Sequence, residues 1–154
     1  MSTPVLEQIA SNIETAVNEI TEANGYSQDL TAVRPRRNDY KDVSPDDLTV
    51  LIFQGDEEIV ETAPIGVAEY RQPFMLFALV IDSDSETASM DTRRNQVRAD
   101  IIKKLMTDTS RGGLAIDTLV EPSRMFDDED GFTGIAVNFS VFYRTKPDDP
   151  YTQM

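Results

Sequence analysis

The sequence contains no histidine and no cysteine among its 154 residues. Without cysteine there are no disulfides, no thiolate nucleophile and no cysteine-ligated metal. Without histidine the chain lacks the commonest general base and the commonest metal ligand in proteins. Catalytic arrangements that pair serine or cysteine with histidine are therefore excluded, and nothing in the sequence resembles an active site.

Basic residues are also scarce, since 14 Lys and Arg face 28 Asp and Glu, for a net charge of −14. Such a charge repels nucleic-acid phosphates at long range, although a local basic patch can still bind them. The longest apolar run, residues 74–81, is far shorter than the ~20 residues that span a bilayer as a helix. We predict no membrane-spanning helix, and the N-terminus lacks the pattern of a signal peptide.

Hydrophobic periodicity predicts two amphipathic helices, each of about 20 residues. The first is predicted to be capped by Thr3 and to end at Asn24-Gly25, and the second follows a capping-box pattern at Ser83 and Glu86. The apolar stripe of the first helix comprises Leu6, Ile9, Ile13, Val17 and Ile20. The stripe of the second comprises Met90, Val97, Ile101 and Leu105.

Strands are predicted at residues 29–34, 48–54, 69–82, 116–126 and 133–144, with 57–61 extending the pairing of the second. The strand at 69–82 is apolar on both faces, which predicts a central strand covered on both sides. Pro122 is typical of an edge strand. The order α-β-β(-β)-α-β-β predicts an α+β fold with a mainly antiparallel sheet and two amphipathic helices packed on it. We assign residues 1–145 to this single domain and 146–154 to a polar C-terminal tail.

Two basic clusters interrupt the acidic background. One lies in the predicted loop 35–47 and just before it, and the other lies on the second helix, largely off its apolar stripe. Three interpretations stay open: a solvated surface, contacts with acidic surfaces of a neighbouring subunit, and contacts with DNA phosphates. The first cluster comprises Arg34, Arg36, Arg37 and Lys41. The second comprises Arg93, Arg94, Arg98, Lys103 and Lys104.

Two acidic segments carry several carboxylates that a metal ion could in principle bind. Asp127, Asp128, Glu129 and Asp130 are adjacent in sequence, so their carboxylates diverge, which favours a solvated turn over a metal site. Residues 82–86 begin like a calcium loop, but Thr87 and Arg93 stand where an EF-hand needs Gly and Glu. The sequence therefore predicts no metal centre at either segment.

Three segments point, in their order along the chain, to one family. Residues 20–26 read ITEANGY and are followed by Asp29-Leu30 and Val33. Asp108-Thr109 precedes residues 112–115, GGLA, and residues 141–144, VFYR, precede residues 149–151, DPY. This ordered set resembles the tail completion (tail terminator) proteins of tailed bacteriophages from end to end. Arg111 is a departure, because relatives often carry an apolar residue before the glycine pair.

The resemblance implies a structural virion protein without catalysis, metal or cofactor. Such proteins form a hexameric ring that caps the tail tube, stops its polymerisation and joins the tail to the head connector and neck proteins. DNA passes through the ring without specific binding. The chain would then belong to the tail or neck of the virion, after assembly in the host cytoplasm. We hypothesise that Arg34, Arg36, Arg37 and Lys41 contact acids of the next subunit or of a tail protein, and that the acids 127–130 line the lumen.

Other classes of function stay open at this point. One is another neck or head-closure adaptor ring. A second is a small metal-dependent nuclease, because Asp29, Asp39 and Lys41 loosely match the spacing of such enzymes. A third is a generic binding module that presents an acidic surface to its partner.

Overall fold

The computed structural model describes residues 2–36, 46–81, 88–127 and 133–154. Within these ranges the chain forms two α-helices, one 3₁₀ turn and eight strands. The helices are α1 (Val5–Asn18) and α2 (Met90–Met106), and the 3₁₀ turn spans Glu22–Asn24. The strands are β1 (Thr31–Val33), β2 (Thr49–Gln54), β3 (Glu58–Ile59), β4 (Ala68–Leu79), β5 (Asp117–Val120), β6 (Arg124–Asp127), β7 (Thr133–Lys146) and β8 (Asp149–Gln153).

The eight described strands belong to one sheet. Its main path runs β1-β2-β4-β7-β5, while β3 pairs with β4, and β6 and β8 pair with β7. The β1–β2 pair is parallel and every other described pair is antiparallel. The predicted α+β class, a mainly antiparallel sheet with two helices, is therefore confirmed.

Both helices pack on the same face of the sheet. The apolar stripes predicted for α1 and α2 share one core with the side chains of β4 and β7 that point toward them. Full burial of each such side chain stabilises the fold by about 1.5–3 kcal/mol relative to exposure. The central members of this core are Ile9, Ile13, Val17, Phe74, Leu76, Val97, Ile101, Leu105, Val137 and Phe139.

The first helix is shorter than predicted, with 14 residues. Pro4 occupies its N-cap position, and no side chain caps it, so the prediction for Thr3 is wrong. The helix ends at Asn18, whose Oδ1 accepts a hydrogen bond of 2.8 Å from the backbone N–H of Ala32. Ile20 is nevertheless fully buried beyond the helix end. The apolar stripe thus continues through a change of backbone conformation.

The predicted stop at Asn24-Gly25 ends the 3₁₀ turn rather than α1. Thr21 caps this turn, since its Oγ1 accepts a hydrogen bond of 3.2 Å from the backbone N–H of Asn24. Gly25 has a φ of 91°, a conformation that glycine adopts without steric penalty. The chain reverses here, and the N–H of Leu30 then donates to the carbonyl of Ile20 at 2.9 Å.

The second helix begins at Met90 and contains 17 residues. Ser89 caps it, because its Oγ accepts a hydrogen bond of 3.2 Å from the backbone N–H of Thr92. The predicted capping residues Ser83 and Glu86 lie outside the described residues.

Pro122 divides the predicted strand 116–126 into β5 and β6, which both pair with β7. Proline has no N–H for a ladder hydrogen bond, so the pairing breaks there. The carbonyl of Pro122 accepts a hydrogen bond of 2.9 Å from the side-chain amide of Asn138, which fixes the break against β7. Residues 146–154, predicted to be a polar tail, contain β8, which folds back on the end of β7.

Candidate functional site

The sheet face opposite the helices carries an apolar groove. Side chains alternate along a strand, so Met75 and Phe77 of β4 point away from the helices. Phe53 of β2 and Ala136 of β7 pair with these positions and share their face. The sequence predicts that β4 is covered on both sides, but both described helices lie on the other face. Met75 is 38% exposed, so the prediction is wrong for this part of β4.

We call this feature the open groove. It encloses about 400 Å³. Its floor contains Phe77 and the small side chain of Ala136, and the rings of Phe77 and Phe126 meet edge to face at 4.8 Å. Met125 and Arg124 are exposed along its rim, so an apolar surface lies beside a cation. Its lining residues are Phe53, Met75, Phe77, Arg124, Met125, Phe126 and Ala136.

The other half of the same sheet face is polar and neutralised within the chain. Arg71 forms an ion pair with Glu121, which also accepts a hydrogen bond from Ser140. Arg144 donates to Glu69 at 2.6 Å. Because these charges already have partners, burial against another molecule would stabilise the apolar open groove more than the polar half of this face.

Of the predicted interface cluster, Arg34 is engaged within its own chain. Its guanidinium donates two hydrogen bonds, of 2.7 and 2.9 Å, to the carboxylate of Glu7 on α1. This contact lowers the pKa of Glu7 and raises the pKa of Arg34. Arg36 is exposed, whereas Arg37 and Lys41 lie outside the described residues.

The Glu7–Arg34 pair predicts a small, pH-dependent contribution to stability. Because the folded-state pKa of Glu7 is lowered, the contribution is complete above its unfolded value, about 4.5, and is lost as the pH falls through the folded value. The pair is partly exposed and screened by salt, so Glu7→Gln should cost no more than about 0.5 kcal/mol at pH 7. Urea unfolding should show this difference at pH 7 and none at pH 2; an equal difference at both would contradict it.

The second basic cluster is partly internal: Arg98 and Lys103 are exposed, whereas two of its arginines are not. Arg93 and Arg94 are buried, contrary to their predicted position off the apolar stripe. Arg93 donates to the carbonyl of Ile81 and to the carboxylate of Asp47, both at 2.6 Å. Arg94 forms an ion pair with Asp127. Sequence periodicity did not show this, because each partner lies far away along the chain.

The remaining three side chains of that cluster also have partners in the chain. Their contacts are a hydrogen bond, a cation–π contact and an ion pair. They join Arg98 to Ser123 at 3.2 Å, Lys103 to the ring of Tyr26 at 4.9 Å, and Lys104 to Glu19 at 2.7 Å. The helix therefore uses its basic residues to bind the rest of the domain.

The predicted lumen-facing acids are described at one position only. Asp127 is paired with Arg94, although its carboxylate is largely exposed. Asp128, Glu129 and Asp130 lie outside the described residues. Their position at a lumen stays a prediction.

The segment that carries the family resemblance has a structural role. Asp100 on α2 accepts hydrogen bonds from the backbone N–H and the hydroxyl of Ser27, at 3.2 and 2.5 Å, and from the amide of Gln28 at 3.1 Å. Asp29 accepts one of 2.7 Å from the backbone N–H of Glu22. These contacts hold the turn after the first helix against the second.

The nuclease alternative depends on Asp29, Asp39 and Lys41, of which the structure describes only Asp29. Asp29 is engaged in the turn described above, and Asp39 and Lys41 lie outside the described residues. Across the described ranges, no group of three or more Asp and Glu side chains is placed to hold a metal ion.

No helix in that same part of the chain is long and apolar enough to cross a bilayer.

Arg111, the residue at which the sequence departs from the tail-terminator resemblance, is 1% exposed. Its guanidinium donates to the backbone carbonyls of Leu105 and Asp108, at the C-terminal end of α2. Burial lowers the pKa of Arg111. The side chain thus supplies partners for carbonyls that a helix end leaves unpaired. Asp108 in turn accepts hydrogen bonds from the hydroxyl of Ser110 and from the backbone N–H groups of Gly112 and Ser110, which lower its pKa.

The open groove was not predicted as a site. Its signal was present in the sequence, because residues 74–81 are apolar on both strand faces. That pattern shows that both faces favour burial, but it does not show which face the helices of the same chain cover. Comparisons with protein-family models and with curated proteins found no match for this chain.

Proposed function

We propose that the chain is a structural subunit of a phage tail, which caps the tail tube as a ring, ends tube polymerisation and joins the tail to the head connector. The resemblance of residues 20–26, 108–115 and 141–151 to tail terminators suggests this class. The open groove is the single structural observation that supports it, because neither described helix lies on this apolar surface and Met75 is 38% exposed there.

An apolar surface of this kind is typical of a protein–protein contact. A ring forms when each subunit presents one surface to its neighbour and a different surface to the next, and the rotation closes. The open groove on one sheet face and the polar surfaces elsewhere are two different surfaces of this kind. In the assembly, the groove would be filled by a neighbouring copy, the tail tube protein or a neck protein.

Passage of DNA without specific binding is part of this proposal. A net charge of −14 disfavours phosphate contacts, and the described basic side chains of α2 are engaged within the chain. Arg36 remains our proposed contact with an acidic neighbour, together with Arg37 and Lys41. Arg34 is a weaker candidate because Glu7 already pairs with it.

A tube-length assay tests the proposal. Tail tube protein should form short tubes of uniform length when the wild-type chain is present, and long tubes without it. Met75→Lys places a charge in the open groove and should abolish this effect. Met106→Lys is the matched control, because Met106 is 37% exposed on α2 and outside the groove, against 38% for Met75.

Tubes whose length does not respond to the wild-type chain would contradict tail capping. Binding to connector rings without any effect on tubes would instead support a neck adaptor. Both variants should keep the melting temperature of the wild type within a few degrees, since exposed substitutions usually change stability by about 0.5 kcal/mol or less.

A further inference from the structure

The segment that contains β3 and leads toward β4 carries exposed aliphatic side chains. We call residues 56–65 the acidic arm. The backbone N–H of Val60 donates to the carbonyl of Glu69 at 2.9 Å, which holds the arm against β4. Ile59 is 73% exposed and Ile65 is fully exposed. Two large, solvent-exposed aliphatic side chains on one short segment favour a contact with another apolar surface.

The charge of the arm is opposite to that of the groove rim. Its charged residues are Asp56, Glu57, Glu58 and Glu61, with no Lys or Arg. All four acids are exposed, and Glu57 and Glu58 also contact Tyr143 and Arg71 of their own sheet. The rim of the open groove carries Arg124. The arm therefore matches the groove in both apolarity and charge.

The arm of one copy does not reach its own groove. Ile65 lies three residues before Ala68, the first residue of β4. Met75 of the groove lies seven residues further along β4, a separation of about 23 Å from Ala68 at ~3.3 Å per residue. An insertion of Ile65 into this groove would therefore join two copies of the chain.

We propose that the acidic arm of one copy inserts Ile65 into the open groove of the next copy, with Glu61 facing Arg124. The two surfaces differ, so the contact is head-to-tail and repeats from copy to copy until it closes. This inference rests on the proposed ring and names the surfaces that build it.

Site-directed cross-linking tests the contact, and the absence of cysteine from the chain removes any background. A chain with Ile65→Cys is mixed with a chain carrying Met125→Cys under mild oxidation, at high concentration and on tail tubes. A disulfide needs Cα atoms within ~7 Å, so the mixture should give at least about tenfold more linked dimer than either variant alone. The matched control replaces the groove variant by Met106→Cys, which should give no increase.

A charge exchange gives an independent measurement. Arg124→Glu and Glu61→Arg should each weaken self-association by about tenfold, and a chain that carries both should recover it. Absence of the 65–125 link, an equal yield with the Met106 control, or no recovery in the double variant would each overturn the inference.

The outcomes separate this contact from the proposed function. Tubes that are capped without the 65–125 link would overturn the arm-in-groove contact and leave tail capping intact. A strong 65–125 link together with tubes of unchanged length would support the contact and contradict tail capping.

Discussion

Replacing Gly134 by alanine should destabilise the protein by about 3 kcal/mol or more, the upper range for overpacking. A Cβ atom at this position would lie 2.0 Å from the carbonyl oxygen of Ala78 and 3.0 Å from its carbonyl carbon. Both atoms belong to the backbone of β4, which cannot rotate aside as a side chain can. The alanine would therefore force β4 and β7 apart at one end of the longest ladder in the sheet.

The substitution should affect more than the β4–β7 ladder, because β7 pairs with four described strands. Thermal unfolding should show a melting temperature lower by roughly 6–12 °C, at about 2–4 °C per kcal/mol for a chain of this size. Gly66→Ala is the control, since nothing lies within 4 Å of its Cβ position and its φ of 82° carries only a local cost. That cost is about 1 kcal/mol. Equal losses at the two positions would contradict the close approach of β4 and β7.

Replacing Arg111 by alanine should cost about 2–4 kcal/mol, because it leaves buried carbonyls without donors and opens a cavity. The guanidinium donates to the carbonyls of Leu105 and Asp108, and its Nη1 lies 3.5 Å from Oδ1 of Asn12 on α1. The side chain therefore joins the end of α2 to α1. Urea unfolding of the variant measures the loss.

Arg111→Gly separates the side-chain contacts from the backbone conformation. Arg111 has a φ of 50°, which strains every residue except glycine. The glycine variant loses the same contacts but relieves this strain, so it should be more stable than the alanine variant by about 1 kcal/mol. An alanine variant as stable as the wild type would show that the buried guanidinium contributes nothing.

Local periodicity predicted much of the fold. The spacing of Ile9, Ile13 and Val17 identified the buried face of α1, and the alternation at residues 133–144 identified β7. Both signals depend on neighbours in the sequence, which is why they were reliable. The ends of the elements were less predictable. For example, α1 ends at Asn18, whose side chain binds the backbone of Ala32 in β1, and the hydrophobic pattern of α1 contains no information about this contact.

Contacts between distant residues account for what the sequence did not show. The partner of Arg94 lies 33 residues away, so the burial of this arginine inside the domain depends on a contact that local sequence does not show. Residues 149–153 look polar, and only pairing with β7 makes them a strand. The open groove likewise depends on which sheet face the two helices cover, which no local pattern determines.

The central claim is that this chain works at the end of a tail tube. Electron cryomicroscopy of tail tubes incubated with the chain, with gold label on its C-terminus, measures this directly. We expect a single ring with six-fold symmetry at one end of each tube and label nowhere else. Label along the tube wall, or tubes with bare ends at saturating chain, would contradict the account.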